Sequence, residues 1–216
     1  SMTLRGIFLC RKQDIDIFYQ QNATGSGLEM AGRFFPEYWE PFLEFIPREE
    51  RGDMVAAYQK RLRSPDPAIR REAAKRWSQW EAATMHFIVD QRKIDDFGDP
   101  DHAAAFANIE NHYFMNGAFL GGSGEANRNQ NYILEHIDSI KNIPTTIVQG
   151  QFDMVCPRNQ ADDLVAAWKT AQPDRRKWPK YELLTETGHS WSEPKTVAAL
   201  TAATDACVGI GQGSSR

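Results

Sequence analysis

The 216-residue sequence lacks the signatures of several protein classes. Its three cysteines, Cys10, Cys156 and Cys207, lie far apart and form no C-x-x-C pair, which predicts neither a disulfide framework nor a zinc knuckle. We expect them to be free thiols in a reducing, cytoplasmic compartment. The longest apolar stretches cover residues 143–148 and 197–203, whereas a membrane-spanning helix needs about 20 apolar residues. No membrane association is therefore expected.

A surplus of basic charge is also missing. The chain has 25 Lys and Arg against 29 Asp and Glu, a formal charge of −4, and its basic residues do not cluster with aromatic residues. This excludes the electrostatic signature of a nucleic-acid-binding protein. No metal-ligand spacing links the histidines at positions 86, 102, 112 and 136, so no metal is expected. No organic cofactor is implied either.

Two patterns alternate along the chain. Residues 14 to about 142 are predicted to be mostly helical, with a long amphipathic helix from Ala68 onward. Both flanks contain β-rich runs. The C-terminal part has the order strand, helix, strand, helix, which is typical of an α/β layer fold. We therefore predict an α/β fold with few parallel strands and a large inserted helical cap. The predicted parts are a first core strand (3–13), the helical cap (14–125), a C-terminal α/β core (126–208) and a flexible tail (209–216).

Individual elements follow from periodicity and from the positions of glycine and proline. Strands are predicted over residues 4–10, 145–150 and 181–185. A loop is predicted at Gly117 to Gly124, where four glycines fall within eight residues. Helices are predicted to begin near Pro36, near Pro47 and at Ala68, and to cover residues 101–114, 132–140, 157–171 and 194–208.

The most specific chemical signal is a pair of residues that follow predicted strands. Asp153 comes after the run 145–150, and His189 comes 36 residues later, after the strand over 181–185. A crossover helix fits between them, so the carboxyl ends of adjacent parallel strands would bring the two side chains together. Asp153 would then orient the imidazole and stabilise its charged form. The alternative is that Asp153 only caps a turn and that His189 is a turn histidine.

A serine hydrolase also needs a nucleophile on a Gly-x-Ser-x-Gly elbow that precedes the acid and the base. No serine in the 216 residues has that spacing. The glycine-rich loop that supplies the oxyanion hole is also missing. We therefore expect the chain to begin inside the fold and not to contain its nucleophile.

Six segments of the sequence are similar to the proline iminopeptidase (prolyl aminopeptidase) family. The segments follow the order of that family: 4–9, 18–20, 35–39, 77–81, 109–114 and 148–157. The resemblance runs from residue 4 to about residue 206. It implies a serine peptidase with the α/β-hydrolase fold and a helical cap, of which this chain would be the cap and the C-terminal part.

The resemblance also implies a role for several residues. Asp153 and His189 would be the acid and the base of the catalytic triad, and Glu81 and Glu110 would bind the free α-amino group of the substrate. Paired carboxylates suit an ammonium group because charge-assisted hydrogen bonds strengthen where water is excluded. Phe8 and Tyr19 would line the pocket for the proline ring. For the two glutamates the alternative is a solvated surface position, and for Phe8 and Tyr19 it is plain core packing.

The expected function is thus removal of N-terminal proline from peptides, with peptide substrates as the partners. Without a nucleophile, the 216-residue chain alone is expected to be inactive. The alternative is a non-catalytic module that binds peptides or a protein partner and descends from an α/β hydrolase. Because the first strand would leave one sheet edge open, self-association through that edge is a further hypothesis.

Overall fold

A computed structural model describes residues 1–20, 30–121 and 131–208. Its strands are β1 (Met2–Arg5), β2 (Thr145–Gly150) and β3 (Lys180–Leu184). Its helices are α1 (Lys12–Tyr19), α2 (Met30–Phe34), α3 (Pro36–Glu44), α4 (Met54–Leu62), α5 (Pro67–Met85), α6 (Gln91–Phe97), α7 (Pro100–Met115), α8 (Tyr132–Glu135), α9 (Asn159–Ala171) and α10 (Pro194–Val208). Short 3-10 turns lie between several of them. None of the helices in the described residues has the length and the apolar character that crossing a bilayer requires.

The chain divides into two compact units. The first, here called the core unit, contains Ser1–Leu9 and Asn131–Arg216, and the second, the helical unit, contains Cys10–Gln130. The predicted tail, residues 209–216, and part of the predicted glycine loop, residues 122–124, lie outside the described residues. Residues 117–121 of that loop include a short 3-10 turn at Gly117–Phe119.

The core unit is built on a parallel sheet with the strand order β1-β2-β3. Leu4 of β1 pairs with Ile147 of β2, and Gln149 of β2 pairs with Leu183 of β3. The central strand β2 has both edges paired, and its Ile147 and Val148 are fully buried, as expected for a continuous apolar strand in a parallel sheet. Helix α9 covers the sheet with Leu164, Val165 and Trp168, among others.

The strand predicted over residues 4–10 is much shorter in the structure. It ends at Arg5 because Gly6 adopts a left-handed backbone with φ +54°. Ile7 and Leu9 remain in the core, which explains why the apolar alternation continues past the strand. Their backbone N–H groups are satisfied by the side-chain oxygens of Gln149 and Gln160 instead of by a neighbouring strand.

The helix predicted over residues 132–140 is also wrong in part. It divides into α8 and a 3-10 turn at Ile137–Ser139, since His136 has the non-helical angles φ −103° and ψ 17°. The imidazole of His136 stacks on Tyr132 at 4.0 Å between ring centroids. Its Nδ1 also lies 2.8 Å from the Tyr132 carbonyl oxygen, a local contact that competes with a continued helix.

The helical unit is held together by aromatic side chains. The long helix α5 begins where the sequence predicts, because Asp66 caps its first turn by accepting from the Ala68 N–H and Pro67 occupies the first helical position. Its buried Trp77 and Trp80 face a cluster of rings from α1, α3 and α4. The cluster contains Phe18, Tyr19, Trp39, Phe42 and Tyr58. Helices α5 and α7 pack against each other and supply the two glutamates of interest.

Candidate active site

Asp153 and His189 meet at the carboxyl edge of the sheet. Asp153 follows β2 by three residues, and His189 follows β3 by five. The Nδ1 atom of His189 lies 3.0 Å from Oδ2 and 3.1 Å from Oδ1 of Asp153. Asp153 is buried, whereas the His189 side chain keeps 12% of its surface exposed. An imidazole held through Nδ1 in this way leaves Nε2 as the atom that can exchange a proton with a substrate.

The carboxylate of Asp153 is fixed from three further directions. Its Oδ1 accepts hydrogen bonds from the backbone N–H groups of Val155 and Cys156, at 3.1 and 2.7 Å. Its Oδ2 accepts one from the Gln149 side chain at 3.1 Å. These donors orient both oxygens toward His189.

The end of β1 contacts the same pair. The Arg5 guanidinium donates a hydrogen bond to the backbone carbonyl of His189. Gly6 lies against the imidazole itself: a Cβ at this position would be 3.0 Å from Cε1 and 3.3 Å from Nδ1 of His189. The pair therefore requires a residue without a side chain at position 6.

A second glycine allows the two loops to approach. A Cβ on Gly150 would lie 2.0 Å from the Gly188 carbonyl oxygen and 2.7 Å from that of Thr187, distances that no side chain can adopt. The Phe152 N–H also donates to the Thr187 oxygen at 3.0 Å. The loop that carries Asp153 and the loop that carries His189 are thus joined by backbone contacts.

Within the described residues, no serine hydroxyl is hydrogen-bonded to His189. Ser190, its neighbour in sequence, is buried and lies with its Oγ 2.8 Å from the Oγ of Ser192. The described ranges also contain no group of three His, Cys, Asp or Glu side chains that could hold a metal ion.

The predicted carboxylate pair is gathered around one phenol in the helical unit. The hydroxyl of Tyr19 donates toward Oε1 of Glu81 and lies 3.2 Å from Oε2 of Glu110. That same Glu110 oxygen accepts a hydrogen bond of 2.7 Å from the Trp77 indole. Glu81 is only 2% exposed, so the structure contradicts the reading of Glu81 as a solvated surface residue. Glu110 is half-buried.

The surroundings of this carboxylate cluster are apolar and aromatic. Tyr19 stacks on Trp77 at 4.5 Å between centroids, and Phe114 lies 5.4 Å from the Tyr19 ring. Burial raises the pKa of the Tyr19 hydroxyl well above its usual value, and the charges of Glu110 and Glu81 raise it further. The phenol thus stays protonated and serves as a donor. Two carboxylates in such a low-dielectric setting can bind an ammonium group through charge-assisted hydrogen bonds.

A cavity of about 180 Å³ lies in the same unit. Its lining is mixed: the apolar Ile15, Val55 and Phe114 lie beside polar and charged side chains, namely Lys12, Asp16, Gln20 and Asp53. Phe114 also contacts Tyr19 and so connects the cavity to the carboxylate cluster. Cys10 lies in the cavity wall. Its thiol pKa is raised to about 12, mainly by burial and then by the charges of Asp14 and Glu110.

Phe8, the remaining predicted site residue, is half-buried and belongs to the core unit.

Sequence reasoning missed the direct contacts of Gly6, Gln149 and Trp77. The signal for Gln149 was present, since it is an amide within the apolar run of β2. Trp77 stands four residues before Glu81 on the same helix, a spacing that places both on one side of it.

Fold and sites together define an α/β protein with a hydrogen-bonded Asp–His pair at the carboxyl edge of a parallel sheet and an acidic, aromatic cluster in a separate helical unit. No known family model matches the chain, but individual proteins do. It is 41% identical over 205 residues to a proline iminopeptidase of Xanthomonas citri and 41% identical over 207 residues to a probable proline iminopeptidase of Leptolyngbya boryana. It is 37% identical over 206 residues to a proline iminopeptidase of Arabidopsis thaliana.

Each of these alignments covers 95% of the chain. By sequence, the chain is similar to proline iminopeptidases over nearly its whole length. It spans 58% of the length of the Xanthomonas protein, 57% of the Leptolyngbya protein and 48% of the Arabidopsis protein.

Proposed function

We propose that the chain carries the acid–base residues and the amino-terminus-binding residues of a proline iminopeptidase, a serine exopeptidase with the α/β-hydrolase fold. The contact between Asp153 and His189 at the carboxyl ends of adjacent parallel strands is the observation that carries the proposal. This edge of a parallel sheet is where α/β proteins place their functional groups. The family relationship adds the activity.

In the proposed reaction, His189 first removes the proton from a serine hydroxyl as that oxygen attacks the carbonyl of the N-terminal prolyl residue. The imidazolium then gives this proton to the departing amine, and an acyl-serine is left. A water molecule, deprotonated by His189 in turn, attacks the acyl-serine; the imidazolium returns the proton to the serine oxygen as the ester bond breaks, and proline is released. Asp153 orients the imidazole and stabilises its charged form throughout. The serine is proposed to come from a segment other than these 216 residues. The chain by itself should therefore not turn over a prolyl substrate.

Glu81 and Glu110 are proposed to bind the ammonium group of the substrate. A free amino terminus is what distinguishes the substrate of an aminopeptidase from an internal peptide bond. The hydroxyl of Tyr19 and the indole of Trp77 hold the two carboxylates beside each other. Removal of either charge is expected to weaken binding of a free amine by about tenfold to a hundredfold, the usual weight of a hydrogen bond to a charged group.

The proline ring is proposed to contact apolar side chains, with Phe8 and Tyr19 among them. The aromatic surroundings of Tyr19 support this part of the proposal, because its ring stacks on Trp77 and lies 5.4 Å from Phe114. An apolar wall selects a pyrrolidine ring by shape and burial, without hydrogen bonds.

A cytoplasmic location is proposed from the thiols. All three cysteines are free in the structure, which is the usual state in a reducing compartment.

Ligand binding to the 216-residue chain tests the substrate part of the proposal. Prolinamide, with its free amine, should bind and change the tryptophan fluorescence of the chain, to which Trp77 contributes, whereas N-acetylprolinamide should not. Glu81→Gln and Glu110→Gln should weaken the binding of prolinamide. The matched control is Glu40→Gln, an exposed glutamate of the same unit. Equal binding of the free and the acetylated amide would contradict an ammonium site.

A further inference from the structure

A buried amide stands directly behind the acid–base pair. Gln149, the second-last residue of β2, is 0% exposed. Its Nε2 donates to Oδ2 of Asp153 at 3.1 Å and to the Cys156 carbonyl oxygen at 3.0 Å, with a longer contact of 3.5 Å to the Gly150 oxygen. Its Oε1 accepts from the Ile7 N–H at 3.1 Å. Both the oxygen and the nitrogen of this buried amide therefore have hydrogen-bond partners.

The backbone decides which end of the amide faces the carboxylate. Ile7 offers an N–H, which only the oxygen of Gln149 can accept. Cys156 offers a carbonyl oxygen, to which only the nitrogen can donate. A flipped amide would lose both bonds and place its oxygen against the carboxylate. The donor is therefore always presented to Asp153.

We propose that Gln149 is a positioning residue that sets how strongly the Asp153–His189 pair holds its proton. The inference rests on the proposed roles of Asp153 and His189. A donor on Oδ2 withdraws part of the negative charge that would otherwise attract the imidazolium. With the amide in place, the carboxylate orients His189 and still allows it to release its proton to a leaving group.

The other groups around the pair do not substitute for this donor. The Val155 and Cys156 N–H groups bind Oδ1, not Oδ2. The hydrogen bonds of the charged side chains at the His189 loop go elsewhere. Arg5 donates to the His189 carbonyl, and Glu193 accepts from the Gly188 N–H at 2.7 Å. Lys195 pairs with Glu186 and donates to the Thr185 carbonyl oxygen.

The chain contains a matched control in Gln160. It is also buried, at 1% exposed, and its Oε1 accepts from the Leu9 N–H at 2.7 Å, two residues from the Ile7 bond. Gln160 makes no contact with Asp153. Loss of either amide removes one buried hydrogen bond to the same segment, but only loss of Gln149 removes the donor on the acid.

The test is a titration of the His189 ring by NMR in the 216-residue chain. Gln149→Met should move the midpoint upward by about half a pH unit to one unit and shift the Nδ1 proton of His189 downfield, while Gln160→Met should change neither. If Gln149→Met does not fold, Gln149→Leu, which also lacks the donor, should move the midpoint in the same direction. An unchanged or lowered midpoint in the folded variant would overturn the inference.

Asp153→Asn separates this inference from the proposed function. If Asp153→Asn leaves the His189 titration unchanged, the pair itself is wrong. If Asp153→Asn lowers the midpoint and the Gln149 variants do not raise it, the pair stands and only the role of Gln149 fails.

Discussion

Gly6→Ala is the substitution for which the structure predicts the clearest damage to the site. Gly6 has φ +54°, and a methyl group there would lie 3.0 Å from Cε1 and 3.3 Å from Nδ1 of His189. The left-handed backbone alone costs a residue with a side chain about 1–2 kcal/mol. The contact with the imidazole adds to this, since both distances are shorter than ordinary van der Waals separations and the ring must move.

Two results are therefore expected from Gly6→Ala. Denaturant unfolding should show a loss of stability of about 1–2 kcal/mol or more. The NMR signal of the His189 Nδ1 proton should weaken or move, because the methyl group forces the ring away from Asp153. The control is Gly52→Ala, since a Cβ at Gly52 meets no atom within 4 Å. If Gly6→Ala matched the parent chain in both measurements, the packing of Gly6 against the imidazole would be wrong.

Three further predictions concern other parts of the molecule. Tyr19→Phe should weaken the binding of prolinamide about tenfold in calorimetry. The control Tyr58→Phe, which removes a buried hydroxyl bonded to a carbonyl oxygen, should leave the binding unchanged. Equal effects would refute the role of the Tyr19 hydroxyl. Cys10 should react with iodoacetamide near pH 8 about thirtyfold to sixtyfold more slowly than an unperturbed thiol, because burial raises its pKa from 9.0 to about 12 and the greater nucleophilicity of its thiolate offsets only part of the loss of thiolate; mass spectrometry that finds Cys10 modified first would contradict this. Within the described residues β1 is paired on one side only, so self-association through its other edge stays a hypothesis, and a sedimentation coefficient independent of concentration would argue against it.

The sequence predicted the parts of the fold that depend on local pattern. The buried run of β2 and the closing helix α10 have the predicted bounds, since continuous apolar character and a proline at the helix start are local signals. The end of β1 could not be predicted in this way. Ile7 and Leu9 continue the apolar alternation although Gly6 has already ended the strand, and only the acceptors Gln149 and Gln160, distant in sequence, make that possible.

The candidate site was likewise predictable from the sequence only where local patterns determine it. The spacing of Asp153 and His189 relative to two strands was enough to predict that they meet, because parallel strands align their carboxyl ends. The burial of Glu81 was suggested by its tryptophan neighbours on the helix. Its contact with Tyr19, and that of Trp77 with Glu110, depend on how three helices pack, which periodicity does not describe.

The central claim is that His189 and Asp153 act as the base and the acid of a prolyl peptidase, and turnover tests it most directly. We suggest a chimera in which this chain replaces the matching region of the Xanthomonas citri relative, with proline 2-naphthylamide as substrate. The account predicts that the chimera releases naphthylamine and that His189→Ala or Asp153→Asn lowers kcat by about a thousandfold or more. A folded chimera whose turnover survives the loss of His189 would contradict it.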